Sequence, residues 1–338
     1  MTRSIKRILV TGATGGLGRN AVNALLEKGL QVRATGRNAA VGQELAILGA
    51  EFFQLDLASA TPAQLAPLLR DVDAVWHCAA LSSPWGALAD FVAANLSATQ
   101  RLFQAAGEQQ VQRFVHISTP ALYFDYTSRF EVKEDFRPAS YVNDYAATKA
   151  QAEQAIRSAA AQFPQMQVVI LRPRAIFGPY DQVLIPRLSR VLTERSGRLP
   201  LPRGGHVTLD FTYVENVVHA MWLATTRPDI PSCTAFNITN QEPALLRDML
   251  QALYRDALGR PFNIVSVPYP LLATVARGML LASRLSGREP ALTPYSVGAL
   301  SYDMTLDSSK ARQLLGYTPL VSLADGIQRT AQWIKRHG

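Results

Sequence analysis

The segment "DYAATK" sets Tyr145 and Lys149 four residues apart, on one face of a helix. A phenol with an unperturbed pKa of ~10 is a poor acid–base group at neutral pH, but an ammonium one turn away favours the phenolate. The pair is suited to proton transfer. Upstream, "FVHISTPALY" runs an apolar strand into Ser118 and Thr119, where a hydroxyl can hold a substrate oxygen near Tyr145. A third stretch, "TGATGGLG", spaces Gly12, Gly15 and Gly18 three apart, between the apolar run Ile8, Leu9, Val10 and a helical pattern of Ala21, Val22, Leu25 and Leu26. A strand entering a glycine-rich turn that opens a helix lets the backbone approach a pyrophosphate at the positive end of the helix dipole. Thr14, Gly16 and Leu17 complete that turn.

If a dinucleotide sits there, an acidic residue at the end of the second strand would bind a free ribose 2′-hydroxyl. The stretch "QVRATGRNAAVG" instead offers Gly36 and Arg37, with no Asp or Glu between Glu27 and Glu44. A guanidinium suits a 2′-phosphate, so NADP(H) is the preferred cofactor and NAD(H) stays open. Asp56, followed by Leu57, is placed to meet the adenine, and "HCAAL" puts Ala79, Ala80 and Leu81 beside the cofactor path. His77 and Cys78 point to opposite faces of their strand, which argues against a nucleophile pair. Cys78 and Cys233 have neither disulfide nor metal-ligand spacing, so no metal is expected and a reducing cytoplasm fits.

These residues need a scaffold, and the first half of the chain spells one. Strands are predicted at 31–35, 51–55, 72–76, 113–118 and 167–171, alternating with helices at 41–48, 62–69, 85–107 and 145–163. Such alternation predicts an α/β fold, a doubly wound parallel sheet of Rossmann type with ligands at the carboxyl ends of its strands. Beyond Gly178 prolines punctuate the chain. This divides it into an NADP-binding domain at 1–178 and a smaller C-terminal substrate-binding lobe at 179–338, of which 206–240 is expected to return to the main sheet.

The 338 residues, 48% hydrophobic, are enough for a large core. The net charge of +8 comes from scattered Lys and Arg with no basic block, which argues against a nucleic-acid partner. The start "MTRSIKRILVTG" runs from basic residues directly into the first strand, so no signal peptide is expected. The segment "YPLLATVARGMLLASRLSG" at 269–287 reads either as a core helix or as an amphipathic cover over the site. As a cover it would rest Leu271, Leu272, Met279, Leu280 and Leu281 weakly on a membrane surface while Arg277 and Arg284 snorkel.

TGATGGLG, Thr119 four before Tyr123, the Tyr145–Lys149 pair and "LRPRAIFGP" at 171–179 together resemble the extended short-chain dehydrogenase/reductases, within the NAD-dependent epimerase/dehydratase superfamily. "DFTYVENVVHAMWLA", "AFNITNQEP" and the C-terminal third are most similar to the 3β-hydroxysteroid dehydrogenase branch. The resemblance implies a ketone or secondary alcohol on an apolar small molecule, sterol-like or a long-chain 3-keto acid. It further implies Asn95 as a supporting residue of the catalytic group, Pro173 and Ile176 bordering the nicotinamide, and a homodimer built on the two long helices. Ser82, Trp85, Tyr123, Phe177 and Leu184 are expected to line the substrate pocket. The sequence departs from the pattern at Thr119, where serine is commoner, and at Arg37, where NAD-using steroid enzymes carry an acid. Arg187, Arg190 and Arg203 leave room for a rival reading, a nucleotide-sugar epimerase or dehydratase retaining NAD. A non-catalytic NADP-sensing regulator would have no reason to keep Thr119, Tyr145 and Lys149 together.

Overall fold

The computed structural model describes residues 4–337, with the side chain of Arg284 outside the described residues. Seven strands form the central sheet: β1 (Arg7–Thr11), β2 (Gln31–Gly36), β3 (Glu51–Gln54), β4 (Ala74–His77), β5 (Arg113–Ile117), β6 (Gln167–Pro173) and β7 (Thr234–Ile238). All pair in parallel, in the order β3-β2-β1-β4-β5-β6-β7. The apolar runs reflect burial on both faces. In β1, Ile8 and Val10 join the hydrophobic cluster on one side while Leu9 joins that on the other.

The first cluster packs against α1 (Gly16–Glu27), through Ala21, Val22 and Leu25. On the opposite face lie α3 (Pro62–Leu69), α4 (88–108) and α5 (Asp144–Ala159), after α2 (Ala39–Ile47) beside β3. Helix starts follow local chemistry: Asn38 caps α2, Thr61 and Gln64 form a capping box on α3, and the Asn143 side chain accepts from Ala146 N at 2.8 Å. α4 differs from the predicted helix at 85–107. It begins only at Leu88, because Gly86 has φ 157° and the Ser83 hydroxyl ties the turn around Trp85, and it carries a π-helical turn at Val92–Ser97.

A second body is built mostly from the chain past β6, with one strand, Arg129–Val132, supplied from between β5 and α5. Arg129–Val132, Met304–Leu306, Thr208–Leu209 and Ala244–Leu245 make a four-stranded sheet; two parallel pairs, Ile176–Phe177 with Thr212–Tyr213 and Arg198–Pro202 with Asn263–Val267, complete it. α6 (Leu184–Glu194) belongs here, whereas α7 (Val214–Thr226) packs against α1. The third hydrophobic cluster, with Phe177, Phe211, Tyr213 and Tyr254, is this body's core.

The helix Tyr269–Ser286 turns Ala273, Ala276 and Ser283 inward. Of the residues expected on an apolar outer face, Leu271 and Leu281 are exposed, together with Val275 and Leu285, but Leu272, Met279 and Leu280 are half-buried on the protein side. Arg277 is exposed; the side chain of Arg284 lies outside the described residues. Among the described residues no helix is long and apolar enough to cross a membrane.

Candidate active site

The glycine turn lies where β1 separates β2 from β4, the switch point of the sheet. A Cβ on Gly12, whose φ is +63°, would stand 2.8 Å from the Ala79 backbone, and one on Gly18 would stand 2.2 Å from Gly12 O. Those two glycines are required by the turn itself. Gly15 is different: a Cβ there would meet only Gly12 O, at 3.4 Å, so the protein's own packing does not demand glycine. A diphosphate pressed against the turn would. α1 carries no acid in its first turn and no side-chain cap, and the N–H groups of Gly16, Leu17 and Gly18 have no hydrogen-bond partner among the described residues. The residues therefore fit a dinucleotide phosphate.

The chain just after β6 covers this turn. Tyr180 O would lie 2.8 Å from a Cβ on Gly16, Asn20 Nδ2 donates to Pro179 O at 2.9 Å, and Gln182 Nε2 donates to Thr14 O at 3.4 Å. At the adenosine end Arg37 is exposed and its side chain makes no hydrogen bond or ion pair among the described residues. Asp56 is exposed and accepts from Ala58 N at 3.0 Å, while Leu57 is buried in the core.

Beside the cofactor path, Asn95 is fully buried in the π-turn. Its Oδ1 accepts from Leu81 N at 2.7 Å, and its Nδ2 donates to Leu81 O and to Thr148 Oγ1, each at 3.2 Å. It thus fixes the loop 79–81 against α5, a positioning role. Ala79 N donates to Thr11 Oγ1 at 3.3 Å. His77 is held between Thr11 and Thr99, at 2.8 and 2.9 Å, and burial first, then Lys149, lowers its pKa to about 3. Burial raises the Cys78 thiol to about 12, which disfavours its thiolate.

Thr119 caps the short turn Pro120–Tyr123, its Oγ1 accepting from Ala121 N at 3.1 Å, and its hydroxyl neighbours the Tyr145 side chain. Ser118 is committed elsewhere, donating to Glu153 Oε1 at 2.6 Å. Burial raises the half-buried Tyr145 to about 12, with Thr119 pulling down and Tyr295 pushing up. This corrects the expectation of a lysine-favoured phenolate. Lys149, 1% exposed, donates from Nζ to Ile117 O at 2.6 Å and lies 3.2 Å from His116 Nε2, and it is not among the groups that act on Tyr145. Burial lowers its own pKa to about 8, against the opposing pull of Glu153 and Cys78. His116, held neutral by burial, leaves its Nδ1 without a hydrogen-bond partner among the described residues.

Of the residues expected around the substrate, Ser82 is exposed and Trp85 and Leu184 are half-buried. Pro173 is buried at the end of β6, and Ile176 is half-buried beyond it. Two others are not where sequence placed them. Tyr123 is fully buried, donating to Asn237 Oδ1 at 2.8 Å and accepting from Arg172, and Phe177 packs on Tyr213 with ring centroids 5.6 Å apart. Their partners lie far along the chain and draw them into the core. Arg174, buried just after β6, and the half-buried Tyr295 carry no local signal beyond a second arginine inside the apolar "LRPRAIFGP".

The sequence pattern of the NAD dependent epimerase/dehydratase family matches residues 8–239. The chain belongs to that family. Among its members, the chain is 46% identical to a protein of Escherichia coli (strain K12) named uncharacterized protein YbjS, over 98% of both chains. It is 33% identical to the 2-alkyl-3-oxoalkanoate reductase of Stenotrophomonas maltophilia (strain K279a), over 96% of this chain and 98% of the other. It is 31% identical to the 3beta-hydroxysteroid-dehydrogenase/decarboxylase isoform 1 of Arabidopsis thaliana, over 98% and 80%. The UDP-glucuronic acid 4-epimerase from Bacillus cereus, solved with UDP-glucuronic acid and NAD, superposes with a TM-score of 0.77 at 25% identity, covering 98% and 99%. The Rossmann sheet and the extended dehydrogenase resemblance read from sequence agree with this family, whose members use a nicotinamide dinucleotide.

Proposed function

We propose that the protein is an NADP(H)-dependent oxidoreductase that interconverts a ketone and a secondary alcohol on an apolar substrate, either sterol-like or a long-chain 3-keto acid. One observation carries the reading: the Thr119 hydroxyl, at the carboxyl end of β5, and the half-buried Tyr145 of α5 are neighbours, a hydroxyl and a phenol together beside the glycine turn's edge of the sheet. The names of the reductase and steroid dehydrogenase relatives support the reaction class. The turn from Gly12 to Gly18 would hold the dinucleotide, which would supply the hydride in reduction and accept it in oxidation. The chain does the rest. Thr119 and Tyr145 hold the carbonyl oxygen, and Tyr145 passes its phenolic proton to that oxygen as the alcohol forms. Asn95 keeps the loop 79–81 in place, and Arg37, free of protein partners among the described residues, is available to a 2′-phosphate.

The decisive assay follows NADPH and NADH oxidation against sterol ketones, 3-keto acids, flavonoids and aldehydes. Turnover of an apolar ketone with NADPH is expected. The fold neighbour favours a second reading, a nucleotide-sugar epimerase: copurified NAD and turnover of a UDP-sugar, with none on any ketone, would establish it in place of ours. The proposal includes a homodimer through α4 and α5, which bury Ala105, Ala106, Ala146 and Ala152 within the chain and turn Gln100, Gln104, Gln151 and Gln154 outward. It also includes weak contact of the exposed Leu271, Val275, Leu281 and Leu285 with a membrane surface.

A further inference from the structure

Arg174 follows β6 directly and is 9% exposed. Its Nε is buried with no hydrogen-bond partner, and among the described residues its guanidinium makes neither a hydrogen bond nor an ion pair. Buried guanidinium groups are otherwise paired, because stripping water from a charge without replacing its contacts is strongly unfavourable. Arg172, two residues earlier, shows the ordinary solution: its Nε donates to Glu153 Oε1 at 2.8 Å and its Nη1 to Glu134 O at 2.8 Å.

Tyr295 lies within electrostatic reach of both Arg174 and Tyr145, so one tyrosine links the proposed acid and the unpaired cation. The carboxylate that acts on Arg174 is that of Asp210, which forms no ion pair with it among the described residues and accepts instead from Leu306 N at 2.7 Å. Burial depresses the Arg174 pKa, and Tyr295 and Asp210 offset this only in part.

We infer that Arg174 is a substrate-binding residue that clamps a carboxylate on the molecule whose carbonyl oxygen sits at Tyr145. The inference rests on the ketone–alcohol reading above and narrows its substrate class to oxo or hydroxy acids. Because Tyr295 is shared, the acid group lies close to the reacting carbon, as in a 3-oxo acid. The planar fork of the guanidinium takes both carboxylate oxygens at once, which fixes the face that the ketone presents to the hydride.

The test is a binding ratio. Protein saturated with reduced cofactor is titrated calorimetrically with 3-hydroxydecanoate and with its methyl ester, a pair that cannot turn over with that cofactor form. In the wild type the acid should bind at least ~10-fold more tightly than the ester, the ratio expected for a charge-assisted contact. In Arg174→Met that preference should vanish. Should R174M fail to fold, Arg174→Gln, which keeps donors without charge, carries the same readout. Wild-type binding with no preference for the acid, at any concentration up to its solubility, overturns the clamp; so does a preference that survives the substitution, which would leave Arg174 as a structural counter-charge to Asp210. Acid-selective binding lost in R174M, without redox turnover of any oxo acid, would uphold the clamp and strike at the reaction class instead.

Discussion

Lys149 makes the site's electrostatics measurable without knowledge of the substrate. Its ammonium is 1% exposed, and burial lowers its pKa from 10.5 to about 8. A shift of this size corresponds to ~3.4 kcal/mol of preference for the neutral amine in the folded state, at about 1.36 kcal/mol per unit. Because the folded-state pKa is the depressed one, the unfolded chain holds more protons between about pH 8 and pH 10.5, and stability rises with pH across that window. Lys149→Met lacks this gain. At pH 7 the substitution relieves the buried charge but strands the Ile117 carbonyl and the His116 ring, which Nζ reaches at 2.6 and 3.2 Å. A charge-assisted bond contributes about 1.5–3 kcal/mol, so the two effects offset and the variant should be within ~2 kcal/mol of wild type. Between pH 7 and pH 10 the wild type should then gain about 2.5 kcal/mol on the variant. Urea unfolding of both proteins at the two pH values measures it. A difference that does not change with pH would refute the claim that the folded protein holds Lys149 against its preference for water.

Tyr145→Phe should leave folding and cofactor affinity intact and lower kcat by about 10²–10⁴, the ordinary contribution of a general acid; near-normal turnover on the true substrate would remove Tyr145 from the mechanism. Arg37→Ala should weaken NADPH binding at least ~10-fold and leave NADH unchanged, since one charge-assisted phosphate contact is lost; fluorescence titration of both cofactors decides, and a wild-type preference for NADH would sink the idea. Light scattering should return twice the 37.0 kDa chain mass, and a monomer at working concentration would count against the α4–α5 interface. Cosedimentation with anionic liposomes should show weak, salt-sensitive binding that drops when Leu281 and Leu285 are changed to Ser; binding unaffected by those changes would place the contact elsewhere.

The parallel sheet was legible because most of its strands are short apolar runs buried on both faces, and the glycine turn because it stands between such a strand and a helical apolar period. What escaped depended on partners distant in sequence. The π-turn holding Asn95 shares the apolar period of an ordinary helix, so nothing local announces it. The direction of the Lys149 side chain is set by a carbonyl on β5, 32 residues away. An aromatic residue at a strand end faces either cavity or core, and Tyr123 was drawn inward by Arg172 and Asn237, which no window around it contains.

Arg172 has a consequence for how the molecule comes apart. Its guanidinium joins Glu153 of α5, Tyr123 and the Glu134 carbonyl, and Tyr123 continues to Asn237 of β7, whose Nδ2 reaches Val132 O and Asp307 O at 2.8 and 3.1 Å. Segments from the central sheet and from the second body thus meet in one dry charged knot. Neither body can shed the other without uncovering this buried ion pair and breaking the hydrogen bonds of Asn237 to Val132 O and Asp307 O. The chain should therefore melt in a single cooperative transition, and a cut between residues 178 and 179 should release no half that folds alone.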